Sequence, residues 1–320
     1  MKGSYDIVVS NAKVRYAFTI RRNITIVKGD SATGKTTLVE MIREHYESGA
    51  GSGIELNCAK TCRVLAGRDW HILLREMHDS IIFIDEDNEF LPTDEFAGAV
   101  RGSDNYYVIV TREGLPNLPY SIEEIYGIRE SGKYASIQRV YHEFYHIYGN
   151  TRTGKTVCPE KVIVEDSNSG YEFFKGISTK KAHTVISADG KSNIFAEIMK
   201  SQEQNILVIA DGAAFGAEMD RVMKLTGRRK GIILYLPESF EWLILRSGIV
   251  AERNLEEVLT DPEDFIESSE YFSWERFFTK LLIAITKDTY LRYSKRKLNE
   301  VYLHETIASK IVRQIRGIEW

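Results

Sequence analysis

The chain has 320 residues, 43% of them hydrophobic, with 42 basic against 46 acidic side chains and a formal net charge of −4. This is enough apolar material for a sizeable core, favours two domains over one, and excludes a disordered or fibrous chain. The slightly acidic balance excludes a global electrostatic drive towards nucleic acid, so such a partner has to be met by a local basic patch.

The opening residues, MKGSYDIVVSNAKVRYAF, contain no apolar run between their charges, and nowhere do eighteen apolar residues follow one another. Neither export nor a membrane span is expected. The first strong element is NITIVKGD, whose Ile24, Ile26 and Val27 predict a buried strand, followed by GDSATGKT (residues 29 to 36) and by TTLVEMIREHY, with Leu38, Val39, Ile42 and Tyr46 at helical spacing. Strand, glycine loop and helix are the context that a phosphate-binding P-loop requires. Gly29 and Gly34 let backbone N–H groups turn inward, with Asp30, Ala32 and Thr37 completing the cradle; Lys35 is expected to reach the terminal phosphates and Thr36 to offer its hydroxyl to Mg²⁺. ATP is the expected ligand.

One strand-like run, GIELNC, and one amphipathic helix, DWHILLREM, come next. Cys58, Cys62 and the distant Cys158 are too few for a disulfide framework, and no His or second Cys pair completes a zinc site beside the first two. A reduced, cytoplasmic protein is expected. In SIIFIDEDNEF, four apolar residues deliver Asp85 to a strand end, where it is expected to hold the magnesium ion through water, with Glu86 as the base that polarises the attacking water. NYYVIVTREG predicts a further strand ending in Thr111 and Arg112, a position suited to sensing a γ-phosphate.

The order of P-loop, acidic strand and polar-ended strand resembles the P-loop ATPase core, and FTIRRNITIVKGDSATGKTTL is similar to the opening of ATP-binding-cassette-type ATPases. Those enzymes pair two ATPase domains through a Ser-Gly-Gly-type signature ahead of the acidic strand. Nothing between Gly49 and Ser80 matches it, so the resemblance does not carry over the sandwich dimer.

Residues 118 to 149 predict two or three tyrosine-rich strands with a tight turn at Gly132-Lys133. GNTRTGKT, residues 149 to 156, repeats the P-loop spacing. Pro159 and a strand-like run follow it at once, which leaves no helix to receive a phosphate, so it reads as a polar hairpin or an inter-domain turn. Beyond it, EKVIVEDSNSG places Glu165 at a strand end, QNILVIADGAAFG places Asp211 at another, and KGIILYLPESFEWLIL adds a strand with Glu238 and Glu241 just past it. Parallel strands share one C-terminal edge, so Glu165, Asp211 and Glu238 are expected to converge there and to need a cation, Mg²⁺ or alternatively Mn²⁺.

This second half resembles the Toprim fold of topoisomerases, primases and the endonucleases of the overcoming-lysogenization-defect family. Glu165 matches the family's metal-binding glutamate and Asp211 the first aspartate of its Asp-x-Asp motif; position 213 is alanine where the second aspartate belongs. The resemblance implies metal-dependent cleavage of phosphodiesters with Glu165 and Asp211 as catalytic residues and Glu165, Asp211, Asp220 and Glu238 as ligands. Gly212 and Gly216 would admit a phosphate backbone, and Lys180-Lys181, Lys191 and Arg228-Arg229-Lys230 would supply local positive surface for DNA.

From Asp261 to Trp320 the spacing predicts helices, with Trp242, Trp274 and Trp320 as packing anchors and Lys295, Arg296 and Lys297 as an exposed basic run. The expected architecture is an α/β P-loop NTPase domain (1 to 155), a Toprim-like α/β domain (156 to 255) and a helical cap (256 to 320). Three functions compete: a nucleotide-gated Toprim-like nuclease in phage defence or DNA processing, a non-catalytic ATPase sensor or assembly protein that binds itself or a partner protein, and a small-molecule kinase.

Overall fold

In the computed structural model, which describes residues 1–29, 33–131, 139–148, 157–179 and 183–320, the chain divides into two units. Unit 1 is Met1–Gly149 with Asp261–Phe272, and unit 2 is Asn150–Thr260 with Ser273–Trp320. The first boundary falls close to the expected one. The tail is not a separate cap: residues 261 to 272 belong to unit 1 and the rest to unit 2. Backbone hydrogen bonds decide this, from Gly3 N–H to the Glu263 carbonyl (2.7 Å) and from Ser268 N–H to the Met1 carbonyl (3.0 Å).

Unit 1 is built on β1 (Tyr5–Ser10), β2 (Val14–Ile20), β3 (Ile24–Lys28), β4 (Glu55–Asn57), β5 (Thr61–Val64), β6 (Ser80–Ile84), β7 (Tyr106–Val110), β8 (Ile125–Glu130) and β9 (Val140–His146). Among the described residues they form one sheet in the order β4-β1-β2-β9-β8-β3-β7-β6-β5. The runs ITIVK, SIIFI and YYVIV are buried along their whole length, as expected of parallel strands covered on both faces. β3 pairs in parallel with β7, and β7 with β6, so all three end on one edge. β1 and β2 form an antiparallel pair, with Tyr5 opposite Ile20 and Ser10 opposite Arg15. Helix α1 (Lys35–Ser48) buries Leu38, Val39, Met41 and Ile42 in a core shared with Ile7, Val27, Phe83 and Val108. Helices α2 (Trp70–Arg75) and α3 (Asp94–Arg101) complete the unit, α3 starting where the Thr93 hydroxyl accepts the Phe96 N–H. The expected turn at Gly132-Lys133 lies outside the described residues.

Unit 2 carries β10 (Lys161–Val164), β11 (Thr184–Ser187), β12 (Ile206–Ile209) and β13 (Ile232–Tyr235), all parallel, in the order β11-β10-β12-β13. Its helices are α4 (Ser169–Ser178), α5 (Ile194–Lys200), α6 (Met219–Arg228), α7 (Phe240–Arg246), α8 (Leu255–Thr260), α9 (Trp274–Thr286) and α10 (Glu305–Val312). Phe173, Phe174 and Phe240 form an aromatic cluster, and Trp320 stacks on Phe174 with ring centres 5.4 Å apart. Of the expected tryptophan anchors, Trp274 is buried, while Trp242 is only half-buried beneath Arg246. Most of the segment between α9 and α10 is irregular, not helical.

Two local contacts bear on chemistry. Gly212 lies against the end of β13, its N–H bonded to the Pro237 carbonyl (2.5 Å), and a Cβ there would meet the Leu236 carbonyl oxygen at 2.5 Å. The glycine therefore serves strand packing instead of an open phosphate approach, and Gly216 is buried in a short 3₁₀ turn. In unit 1, the half-buried Cys58 thiol is held down to about 7, first by a hydrogen bond from Cys62, whereas that bond and burial push Cys62 well above the usual thiol range. Alkylation by iodoacetamide followed by mass spectrometry is expected to modify Cys58 at a rate that rises through pH 7 and to spare Cys62 in the folded protein.

Candidate functional site

The first candidate site follows from strand register. Ile26 and Ile84 both pair with Ile109, so the loop after β3, Asp85 and Glu86 after β6, and Thr111 and Arg112 after β7 leave the sheet at one edge, with Arg112 on the middle strand. Gly34 stands at the start of α1 with φ 88°, a left-handed conformation that only glycine adopts without strain. Lys35 is buried and folds back, its ammonium donating to the Gly29 carbonyl (2.8 Å) and to the Thr33 hydroxyl (3.0 Å). The first turn of α1 carries no acidic residue, which keeps its positive end available to an anion. Thr36 and Thr37 lie in that turn. Asp30, Ala32 and the whole second GNTRTGKT motif lie outside the described residues; the chain after that motif enters β10, a strand.

Asp85 accepts the Glu86 N–H on Oδ1 (2.8 Å) and has no basic partner among the described residues. Glu86 is instead bound to Arg112, with Nε to Oε2 at 3.0 Å and Nη2 to Oε1 at 2.7 Å, a two-pronged guanidinium–carboxylate pair. The two expected functional residues thus bond to each other. Thr111 is tied into its own turn, donating to the Glu113 carbonyl (3.0 Å).

Sequence reasoning missed Tyr16 and His142. The Tyr16 hydroxyl donates to the Gly34 carbonyl (2.8 Å), and its ring stacks on His142 at 4.7 Å. A Cβ on Gly34 would stand 2.6 Å from that hydroxyl. No motif marks either residue: they sit on β2 and β9 and meet only because those strands pair.

The second candidate site lies at the C-terminal edge of the unit 2 sheet. β10 and β12 are neighbours, and the Asp211 N–H donates to Glu165 Oε2 at 2.8 Å, so the sheet does bring together these two expected acids. Around them stand Asp166, Glu241 and Glu275, of which Glu241 is fully buried with Oε2 unpartnered. Burial raises the Glu165 carboxyl to about 7, raises Asp166, and raises Asp211 well above the aspartate range, with neighbouring Glu275 adding to the rise at both Glu165 and Asp211.

A cation already stands among these carboxyl groups, an amino group. Lys295 Nζ lies 3.1 Å from Glu241 Oε1, 3.2 Å from Glu275 Oε1 and 4.0 Å from Asp211 Oδ2. Burial works against its charge, but these carboxylates together hold its pKa above the lysine range. Lys191, whose pKa burial lowers, donates to the Ala214 carbonyl (2.7 Å). The lysine-bearing segment is pinned by Tyr293, whose hydroxyl donates to Glu241 (2.8 Å), and by the Leu298 N–H on Glu172 (2.6 Å). Lys295 was expected in an exposed basic run and is instead turned inwards, because the buried carboxylates need it.

Asp220 stands in the first turn of α6, and Glu238 lies between β13 and α7. Among the described residues, no group of three or more His, Cys, Asp or Glu side chains is disposed to hold a metal ion. Of the expected set, the structure brings together Glu165 and Asp211. Of the expected basic surface, Arg229 is used structurally, donating to the Ser201 carbonyl (2.7 Å), and Lys180-Lys181 lie outside the described residues.

Comparison with protein-family models, with curated proteins and with solved structures gave no match. No helix among the described residues is long and apolar enough to cross a membrane.

Two substitutions test these geometries. Gly34→Ala is expected to cost about 1–3 kcal/mol of unit 1 stability in denaturant unfolding, and less in a Tyr16→Phe background, where the clashing hydroxyl is gone and the backbone strain remains. Lys295→Met is expected to cost about 3–5 kcal/mol in unit 2 by leaving buried carboxylates without their cation. Lys297→Met, at an exposed position, is expected to fall within about 0.5 kcal/mol of the parent.

Proposed function

We infer that unit 1 binds ATP with magnesium and hydrolyses it slowly, and that the protein acts as a nucleotide-controlled switch whose second unit binds a partner without cutting nucleic acid. The observation that carries the ATP reading is the common edge: Lys35 at the mouth of a glycine-turned helix start, Asp85 and Glu86 two strands away, and Arg112 between them. Thr36 and Asp85 offer the hard oxygen donors that magnesium prefers, and Asp85 has no cationic competitor among the described residues. When bound, the ion would neutralise charge on the terminal phosphates. Glu86 supplies a carboxylate to orient water, and Lys35 a buried ammonium that would exchange its carbonyl and hydroxyl partners for phosphate oxygens.

For unit 2, the observation that weighs against cleavage is Lys295, whose ammonium engages Glu241 and Glu275 in the cluster that a nuclease would reserve for metal. The adjacency of Glu165 and Asp211 favours the second reading, a Toprim-like nuclease of the kind the sequence resembles. The small-molecule kinase has no observation in its favour.

The readings separate in one set of assays. Phosphate release from ATP is expected to require Mg²⁺, and Lys35→Ala is expected to abolish it. Supercoiled plasmid is expected to stay intact in Mg²⁺ or Mn²⁺, with or without ATP, while ATP changes the sedimentation of the protein alone or with a captured partner. Nicking that Glu165→Ala abolishes would instead establish the nuclease, and absence of nucleotide binding would remove the ATP reading.

A further inference from the structure

β4 and β5 are the two end strands of the unit 1 sheet among the described residues, yet only residues 58 to 60 join them along the chain. A link of that length reaches at most about 14 Å, so the sheet curls until its two ends lie near each other. A cysteine stands on each side of the turn, Cys58 directly after β4 and Cys62 second in β5. Their sulfurs address the same residue. The Lys60 N–H donates to Cys58 Sγ at 3.5 Å, and Cys62 Sγ lies 3.8 Å from the Lys60 carbonyl oxygen. Lys60 is itself anchored, its ammonium 2.6 and 2.5 Å from the two carboxylate oxygens of Asp79.

The two thiols differ as an attacking and a resolving thiol must. Cys58 is half-buried and in reach of solvent, whereas Cys62 is 3% exposed in a core that includes Leu38, Val39 and Ile42 of α1. The Cys58 thiol is held down to about 7, first by the hydrogen bond from Cys62 and then by the N–H groups of Lys60 and Ala59, against burial and the charge of Asp6. A large fraction is therefore thiolate near neutral pH. Cys62, donating to that sulfur and buried, is pushed well above the thiol range and stays protonated.

We propose that Cys58 and Cys62 are a reversible oxidation site, a dithiol clasp that takes its oxidising equivalents from a low-molecular-weight disulfide and joins the two ends of the unit 1 sheet. The Cys58 thiolate attacks one sulfur of the small disulfide; the bond between its two sulfurs breaks, one half leaves as thiolate and the other stays on Cys58 as a mixed disulfide. Cys62 then attacks Cys58 Sγ, forms the Cys58–Cys62 bond and expels the second half, which departs with the proton of the Cys62 thiol. Two protein sulfurs are oxidised and one small disulfide is reduced to two thiols. An external dithiol reverses the sequence. The clasp is independent of the nucleotide reading: it fastens β4 to β5 across a turn already held by Lys60 and Asp79, beside the core that packs α1.

The full chain carrying Cys158→Ser keeps only this pair of cysteines and is the parent for the test. It is exposed to oxidised glutathione at neutral pH, quenched with acid at intervals and read by mass spectrometry. A transient adduct of one glutathione is expected, followed by a chain two hydrogens lighter than the reduced one, in which trypsin cleavage after Lys60 leaves two peptides joined through the new bond. With Cys62→Ala or Cys62→Ser, the glutathione adduct on Cys58 is expected to accumulate and go no further. With Cys58→Ala, uptake at Cys62 in the folded chain is expected to be at least about ten-fold slower than uptake at Cys58, and in urea the single-cysteine chains are expected to react alike. A variant that has lost its fold shows itself by reacting in buffer as fast as in urea, and the parent chain then decides alone. A glutathione adduct that persists on Cys58 of the parent, uptake at Cys62 as fast as at Cys58 in folded chains, or no reaction at Cys58 would each overturn the clasp.

Discussion

The parallel register of β3, β7 and β6 is the constraint on which the first candidate site depends. Val27 pairs with Val110 and Ile84 with Ile109, so the strands run out of apolar residues at nearly the same level and hand over together to Lys28, Thr111 and Asp85. The cause is burial: with all three strands covered on both faces, each buries a run of five residues, and polar chemistry begins where the run ends. A slip of one residue would turn each side chain to the opposite face and remove Arg112 from the level of Glu86. The position of the site is thus fixed by hydrophobic run length, and its chemistry by the first polar residues beyond.

Unit 2 has the same parallel arrangement but a different electrostatic solution. Its strand-end acids are set deeper, where desolvation penalises charge, and two remedies act together: carboxyl groups are biased towards their protonated form, and Lys295 is drawn in as a counter-ion. Both follow from packing. Tyr293 and Leu298 fasten the segment around Lys295 to acceptors on Glu241 and Glu172, which places the ammonium among carboxylates that could not remain ionised without it.

How much of this is legible in the sequence depends on whether a signal is local. Buried parallel strands are legible because their apolar runs are continuous, and the helix after the glycine loop because its periodicity begins at once. The adjacency of Glu165 and Asp211 is legible from their placement at successive strand ends. Lys295, Glu275 and Tyr293 were not, because they reach the acid cluster from a distant stretch of the chain, and Lys295 and Tyr293 stand on irregular backbone with no period to read. Tyr16 and His142 were invisible for a related reason: they meet only through the pairing of β2 with β9. The interleaved ownership of the tail, with residues 261 to 272 in unit 1, rests largely on backbone hydrogen bonds, which leave little mark on side-chain composition.

Exposure separates the two charge clusters by what each is able to do. Arg112 and Glu86 meet at the surface, where the attraction between them is small and another anion can replace either partner at little cost. Lys295 meets Glu241 where the carboxylate has no solvent contact, and removing either partner leaves a stranded charge. The first arrangement costs little to open, and the second a great deal. Lys295 is held by Glu241 and Glu275 on a segment that Tyr293 fastens to Glu241. The surface pair of unit 1 is thus the cheaper of the two to open, and the Lys295–Glu241 pair of unit 2 the costlier.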